Sequence, residues 1–94
     1  MLTIDDIKKV VAEIAPQYNL KKVTLFGSRA NGTATENSDI DLIVDFPKET
    51  TLITHISLKY DLEDLFGLPV DVVSRGGLAG SILEIEKEVE IYAA

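Results

Sequence analysis

The chain has 94 residues, 46% of them apolar and 27% charged, a globular composition rather than a disordered one. At about 100–200 residues per domain, it is expected to form a single domain spanning residues 1–94. With no cysteine and one histidine, it excludes disulfides, a cysteine nucleophile and classical zinc ligation. Nine Lys and Arg against sixteen Asp and Glu leave a net charge of −7, the wrong sign for a protein that neutralises nucleic-acid phosphates. An acidic surface suits a basic partner, a bound cation or simple solubility.

The N-terminus, Met1-Leu2-Thr3-Ile4-Asp5-Asp6, carries acids where a signal peptide carries basic residues. No apolar run approaches the ~18 residues of a membrane span. A cytoplasmic protein with no membrane attachment is expected, and the sequon Asn31-Gly32-Thr33 then has little meaning. Thr3 and Asp6 have the spacing of a capping box, and Ile4, Ile7, Val10, Val11 and Ile14 recur at helical intervals. They predict a helix over about residues 4–15, stopped near Pro16. Val23 to Phe26 is a short strand ended by Gly27. Residues 27–38 are rich in Gly, Ser, Thr and Asn and predict a loop with room for one helical turn.

Ile40, Leu42 and Val44 alternate with Asp39, Asp41, Ile43 and Asp45, a strand with acids on one face of its first half. Thr51 to Phe66 predicts an amphipathic helix whose apolar positions include Leu52, Ile53, Ile56, Tyr60 and Leu65, with Gly67 as its C-terminal cap. A strand follows over Val70 to Ser74, then a turn at Arg75-Gly76-Gly77, a helix from Ser81 to about Lys87, and a short strand over Val89 to Tyr92. Tyr18, Tyr60 and Tyr92 are expected to pack. His55 is expected at a polar or half-buried helical position, and Lys8-Lys9 and Lys21-Lys22 on solvated faces.

The helix between the second and third strands is long enough for a crossover, which makes those strands parallel. The first two strands are joined by a loop alone and are expected to be antiparallel. Asp39, Asp41 and Asp71 then gather at one sheet edge, beside Gly27-Ser28. Each feature alone has an ordinary reading: a solvated strand start, an edge-strand residue, a turn. Together they suit a cation and a phosphate. Converging carboxylates repel unless neutralised, and Mg²⁺ takes oxygen ligands from one or two carboxylates plus substrate phosphates. A pair of such ions stabilises the attacking and leaving oxygens of a nucleotidyl transfer. Gly27 lets the backbone approach a triphosphate, and Ser28 offers a hydroxyl and an N–H.

Three other motifs fail. Gly27 and Gly32 have P-loop spacing, but Thr33-Ala34 replaces its Lys-Ser/Thr. Residues 76–80 lack the Gly-x-Gly-x-x-Gly pattern. Asp39-Ile40-Asp41 is followed by Ile43 and Val44, where a calcium loop needs polar ligands and a glycine.

Leu25-Phe26-Gly27-Ser28-Arg29-Ala30, then Ser38-Asp39-Ile40-Asp41-Leu42-Ile43-Val44, closely resembles the signature of the DNA polymerase beta-like nucleotidyltransferases. The likeness is strongest to the minimal nucleotidyltransferases, the MntA-type antitoxins paired with HEPN-domain toxins, and covers nearly the whole chain. It implies an α+β nucleotidyltransferase fold, a small mixed β-sheet flanked by helices, with ATP as substrate and Mg²⁺, two ions, as cofactor. Gly27 and Ser28 would bind the triphosphate, and Arg29 is a candidate phosphate contact. Asp39 and Asp41 would hold both metals. Asp71 would hold the catalytic metal and activate the acceptor hydroxyl as base or ligand.

The activity implied is transfer of AMP to a tyrosine of a HEPN-family RNase toxin, which silences it. His55 has no arginine in the residues before it, so the chain lacks the Arg-x-x-x-x-x-His motif of the toxins and is not the toxin half. Two alternatives stay open: an antitoxin that occludes the toxin without catalysis, and a nucleotidyltransferase acting on a small molecule.

Overall fold

The computed structural model describes residues 2–74 and 88–94. The turn expected at Arg75-Gly76-Gly77 and the helix expected from Ser81 lie outside the described residues. Helix α1 runs over Ile4–Ile14. Its start is the expected capping box: Thr3 Oγ1 accepts from the Asp6 amide at 3.1 Å, and Asp6 returns a carboxylate to the Thr3 amide at 3.0 Å. That bond holds the Asp6 carboxyl below its usual range. The α-helix ends just before Pro16, as expected. A 3₁₀ turn continues over Ala15–Tyr18, because proline in a first turn has no N–H to lose.

Strand β1 (Lys22–Phe26) leads into a single helical turn, α2 (Ser28–Asn31), and then into β2 (Ile40–Asp45). Helix α3 (Leu52–Phe66) starts at Thr51, whose side chain accepts from the Thr54 amide, and ends at Gly67 with φ +69°, a left-handed cap that glycine adopts without strain. Strands β3 (Val70–Ser74) and β4 (Val89–Ala93) complete a four-stranded sheet ordered β3-β2-β1-β4. β1 is antiparallel to β2 and β4, and β2 is parallel to β3. The mixed sheet with helices matches the α+β expectation.

One sheet face carries Val23, Leu25, Ile40, Leu42, Val44, Val70 and Ile91, packed with Ile7, Val11 and Ile14 of α1 and Leu58 and Leu62 of α3. The reading of α3 needs correction. Its core contacts come from Leu58 and Leu62, at 0% and 2% exposure, whereas Leu52, Ile53, Ile56, Tyr60 and Leu65 are all exposed. Residues four apart fall on one helical face, and the 58/62 face is the one turned to the sheet. Tyr60 therefore does not pack in the core. Tyr18 does pack, half-buried, and its hydroxyl donates to Asp61. His55 sits half-buried, stacked on Phe46 at 5.0 Å and bonded to the Val72 carbonyl at 3.0 Å.

Candidate active site

The acids lie on the sheet face opposite the two helices, because side chains alternate along a strand and Ile40 and Leu42 already point inward. The register sets Phe26, Asp41 and Asp71 in one row across three strands. Asp41 and Asp71 are direct neighbours across the parallel ladder, and their carboxyls share a hydrogen bond. The start of this row is fixed twice. The Ile40 amide donates to the Pro69 carbonyl at 3.0 Å, and the Val70 amide donates to Glu63 Oε2 of α3 at 3.0 Å.

Asp39 precedes the strand rather than belonging to it, and is exposed. It is close enough for its charge to act on Asp41. Burial, the hydrogen bond to Asp71 and then the charges of Asp71 and Asp39 together push the Asp41 carboxyl up to about 6. This is the response expected of carboxylates gathered without a counter-charge among the described residues.

Gly27 has φ +74°, where a side chain is strained, and a Cβ added there would overlap Asp41 Oδ2 and lie 3.2 Å from its Cγ. The glycine is thus required by its neighbour carboxylate as well as by its own backbone. The sequence pattern indicates a glycine at the strand end but not this second reason for it. Ser28 follows as the first residue of α2, at the same edge. Arg29 is placed differently from the phosphate contact expected of it. It is 7% exposed and is turned inward, its Nε and Nη2 bonded to the carbonyls of Thr35, Glu36 and Ser38 and its Nη1 buried without a hydrogen-bond partner.

Oxygen donors alone make a site for a hard cation such as Mg²⁺. Among the described residues, no three acidic or histidine side chains close into a complete ligand set. Mg²⁺ does not require one, since it commonly takes one or two carboxylates and completes its shell with substrate phosphate and water. The Asp41–Asp71 pair with Asp39 beside it fits that demand. A cleft of about 440 Å³, lined by Asp45, Phe46, Lys48, His55 and Ser74 among others, lies at the opposite ends of β2 and β3 and touches none of these groups. Among the described residues, no helix is long and apolar enough to cross a membrane.

Known proteins place this arrangement. The nucleotidyltransferase domain family matches residues 4–92. The protein adenylyltransferase MntA of Thermococcus cleftensis is 32% identical over 96 residues, covering 98% of this chain and 97% of the relative. A crystal structure of a toxin–antitoxin with AMP-PNP superposes with a TM-score of 0.75 at 24% identity, covering 99% of this chain and 75% of that one. The complex of a tri-AMPylated Shewanella oneidensis HEPN toxin with an MNT antitoxin gives 0.74 at 16% identity, covering 98% and 74%. At these identities the two complexes establish the fold. The family match, spanning the Gly-Ser turn and the carboxylate row alike, makes this chain a member of the nucleotidyltransferase domain family and an enzyme of that class.

Proposed function

We propose that the chain transfers AMP from ATP to a tyrosine hydroxyl of a partner HEPN-family RNase toxin, and so acts as its antitoxin in the cytoplasm, as one domain dependent on Mg²⁺. The observation that carries this reading is the row of Asp41 beside Asp71 with Gly27 against it, an anionic edge with no counter-charge among the described residues. The adenylyltransferase name of the Thermococcus relative supports the reaction. The AMPylated toxin bound to the Shewanella antitoxin supports the acceptor.

When bound, Mg²⁺ neutralises the carboxylates and the phosphates and steadies the charge on the leaving pyrophosphate. Asp39 and Asp41 would hold it beside the triphosphate. Gly27 leaves space beside Asp41, and Ser28 donates its hydroxyl to a phosphate oxygen. Asp71 takes the proton of the acceptor hydroxyl, whose oxygen forms the new bond to the α-phosphorus as the bond to the β-phosphate oxygen breaks. The products are AMP joined through oxygen to the acceptor, and pyrophosphate.

The test is incubation with labelled ATP, Mg²⁺ and the protein encoded beside this one. Label on a tyrosine of that protein is expected. Intact ATP binding with no label on any protein would sink the reading, and label on a small-molecule acceptor such as an aminoglycoside would replace it. A second reading, occlusion without catalysis, is favoured by the exposed Leu52, Ile53 and Tyr60 of α3, since contiguous exposed apolar surface marks interaction sites. The Asp39→Ala/Asp41→Ala double variant separates the two. Protection of cells at equal expression would establish occlusion, and loss of protection with retained binding establishes catalysis.

A further inference from the structure

Arg29 is a cation placed where cations are rare. It is 7% exposed, and arginine is seldom fully buried unless paired. Both ion pairs found among the described residues, Lys22–Glu90 and Lys59–Glu63, lie elsewhere. Its head instead grips backbone through Nε and Nη2, while Nη1 is buried without a hydrogen-bond partner. Nη2 donates to the Ser38 carbonyl at 2.8 Å and Nε to the same oxygen at 3.2 Å. Longer contacts of 3.4 Å reach the carbonyls of Thr35 and Glu36. These carbonyls belong to one turn, closed by the Ser38 amide on the Thr35 carbonyl at 3.1 Å and by the Thr35 amide on Ser38 Oγ at 2.8 Å.

The strongest contact is to the carbonyl of the peptide that joins Ser38 to Asp39. One residue further on, the Ile40 amide is held by the Pro69 carbonyl. Asp39 therefore sits between two tethers, although it is exposed and outside the strand ladder. Tying down an exposed loop carboxylate is otherwise costly in backbone entropy, about 1–2 kcal/mol per residue. Arg29 is suited to do so because its planar fork reaches one oxygen from two nitrogens.

We propose that Arg29 is a positioning residue, a clamp on the 35–38 turn that fixes the Asp39 carboxylate beside Asp41, and not a phosphate ligand. The Asp39 part rests on the cation-holding role proposed above; the clamp itself does not.

The two roles differ in what they ask of residue 29. A phosphate contact needs a positive charge, which lysine supplies as a point charge. The clamp needs the fork, which lysine lacks. Arg29→Lys and Arg29→Met are the variants, the second tolerable because Leu2, Ile4, Ile7 and Ala34 line a small cavity of about 60 Å³ together with Arg29. Three quantities are measured on the folded full chain: amide hydrogen exchange at residues 38–40, the Mg²⁺ concentration for half-maximal activity, and KM for ATP at saturating Mg²⁺.

Both variants are expected to speed exchange at residues 38–40 about tenfold while the Leu25 and Leu42 amides stay protected. The Mg²⁺ requirement should rise by a similar factor, with KM for ATP within about twofold of wild type. Unchanged exchange in both variants overturns the clamp. So does a normal Arg29→Lys beside an Arg29→Met with raised KM for ATP, which is the pattern of a phosphate ligand. Asp39→Asn keeps the clamp and separates the failures. Normal exchange with a lost cation response supports Asp39 as the clamped ligand. Normal exchange with an unchanged cation response removes that role, and with it the clamp's place in catalysis. If Arg29→Met does not fold, Arg29→Lys carries the exchange and kinetic comparison alone.

Discussion

Replacing Asp41 by asparagine should stabilise the cation-free protein while destroying the enzyme. The Asp41 carboxyl is pushed from its ordinary 3.8 to about 6 by burial and by Asp71 and Asp39. The folded state therefore holds this proton more tightly than the unfolded chain does. Between about pH 4 and pH 6, the folded state binds more protons at this group, so its contribution to stability falls as pH rises and stays unfavourable at neutral pH. Two pH units correspond to about 3 kcal/mol. The carboxyl is partly solvated, and screening reduces this to about 1 kcal/mol.

The assay is urea unfolding of Asp41→Asn and wild type in chelator, from pH 4 to pH 8. The variant should be about 1 kcal/mol more stable at pH 7.5, with the difference vanishing towards pH 4. Mg²⁺ with a non-hydrolysable ATP analogue should reverse the order, because only a ligand bound to the folded state adds stability. A variant less stable than wild type at pH 7.5 without cation would refute the argument, since Asp41 would then already be neutralised within the fold.

Gly27→Ala should lose about 1–3 kcal/mol from its positive φ and lose nucleotidyl transfer as well, because the new methyl must displace the Asp41 carboxylate; urea unfolding and an ATP-labelling assay read the two effects separately. Leu58→Ala should cost about 2–5 kcal/mol, whereas Ile53→Ser, on the exposed side of the same helix, should stay within about 0.5 kcal/mol and show its effect only in partner binding by calorimetry. Thr3→Ala removes the capping bond of α1 and should cost about 1 kcal/mol, lowering the thermal midpoint by about 4–8 °C.

Strands β1 to β3 and their directions were legible because each is a short apolar run and the connections differ in kind: a loop before β2, a helix before β3. That logic is enough to put Asp41 and Asp71 at one edge, and the register makes them direct neighbours. Helix α3 was legible in extent but not in orientation. Its sequence spreads apolar residues around the cylinder, so periodicity alone did not separate Leu58 and Leu62, which face the sheet, from Leu52, Ile53 and Tyr60, which face outward. Hydrophobicity predicts the interior in one direction only, because folded surfaces are themselves largely apolar.

The inward placement of Arg29 was hidden for a related reason. A positive charge beside Gly-Ser suggests phosphate, but the turn that it grips is nine residues away in sequence, and nothing local announces a carbonyl ligand. The 3₁₀ turn past Pro16 is closed by the Asn19 amide, which donates to the Pro16 carbonyl at 3.3 Å, a contact the residue pattern did not announce.

The spacing of the motif follows from the same geometry. Phe26 stands opposite Asp41 in the antiparallel ladder, so Gly27 and Asp41 meet wherever the strand ends are joined by any loop that returns. Between them the chain makes one helical turn over Ser28–Asn31 and one tight turn over residues 35–38, both tied together by Arg29. Loop length is cheap: each doubling costs only about 0.6 kcal/mol of closure entropy. Register is not cheap, since a one-residue slip in β2 turns every side chain to the opposite face. Asp41 would then point into the core occupied by Ile40 and Leu42, and the contact with Gly27 would be lost. The rigid parts of the pattern are therefore the glycine at the end of β1 and the Asp-x-Asp at the start of β2. The stretch between them is held by Arg29 rather than by its length. A Gly-Ser pair and an Asp-x-Asp are each common, but their joint presence is specific because one pairing of two strands must satisfy both.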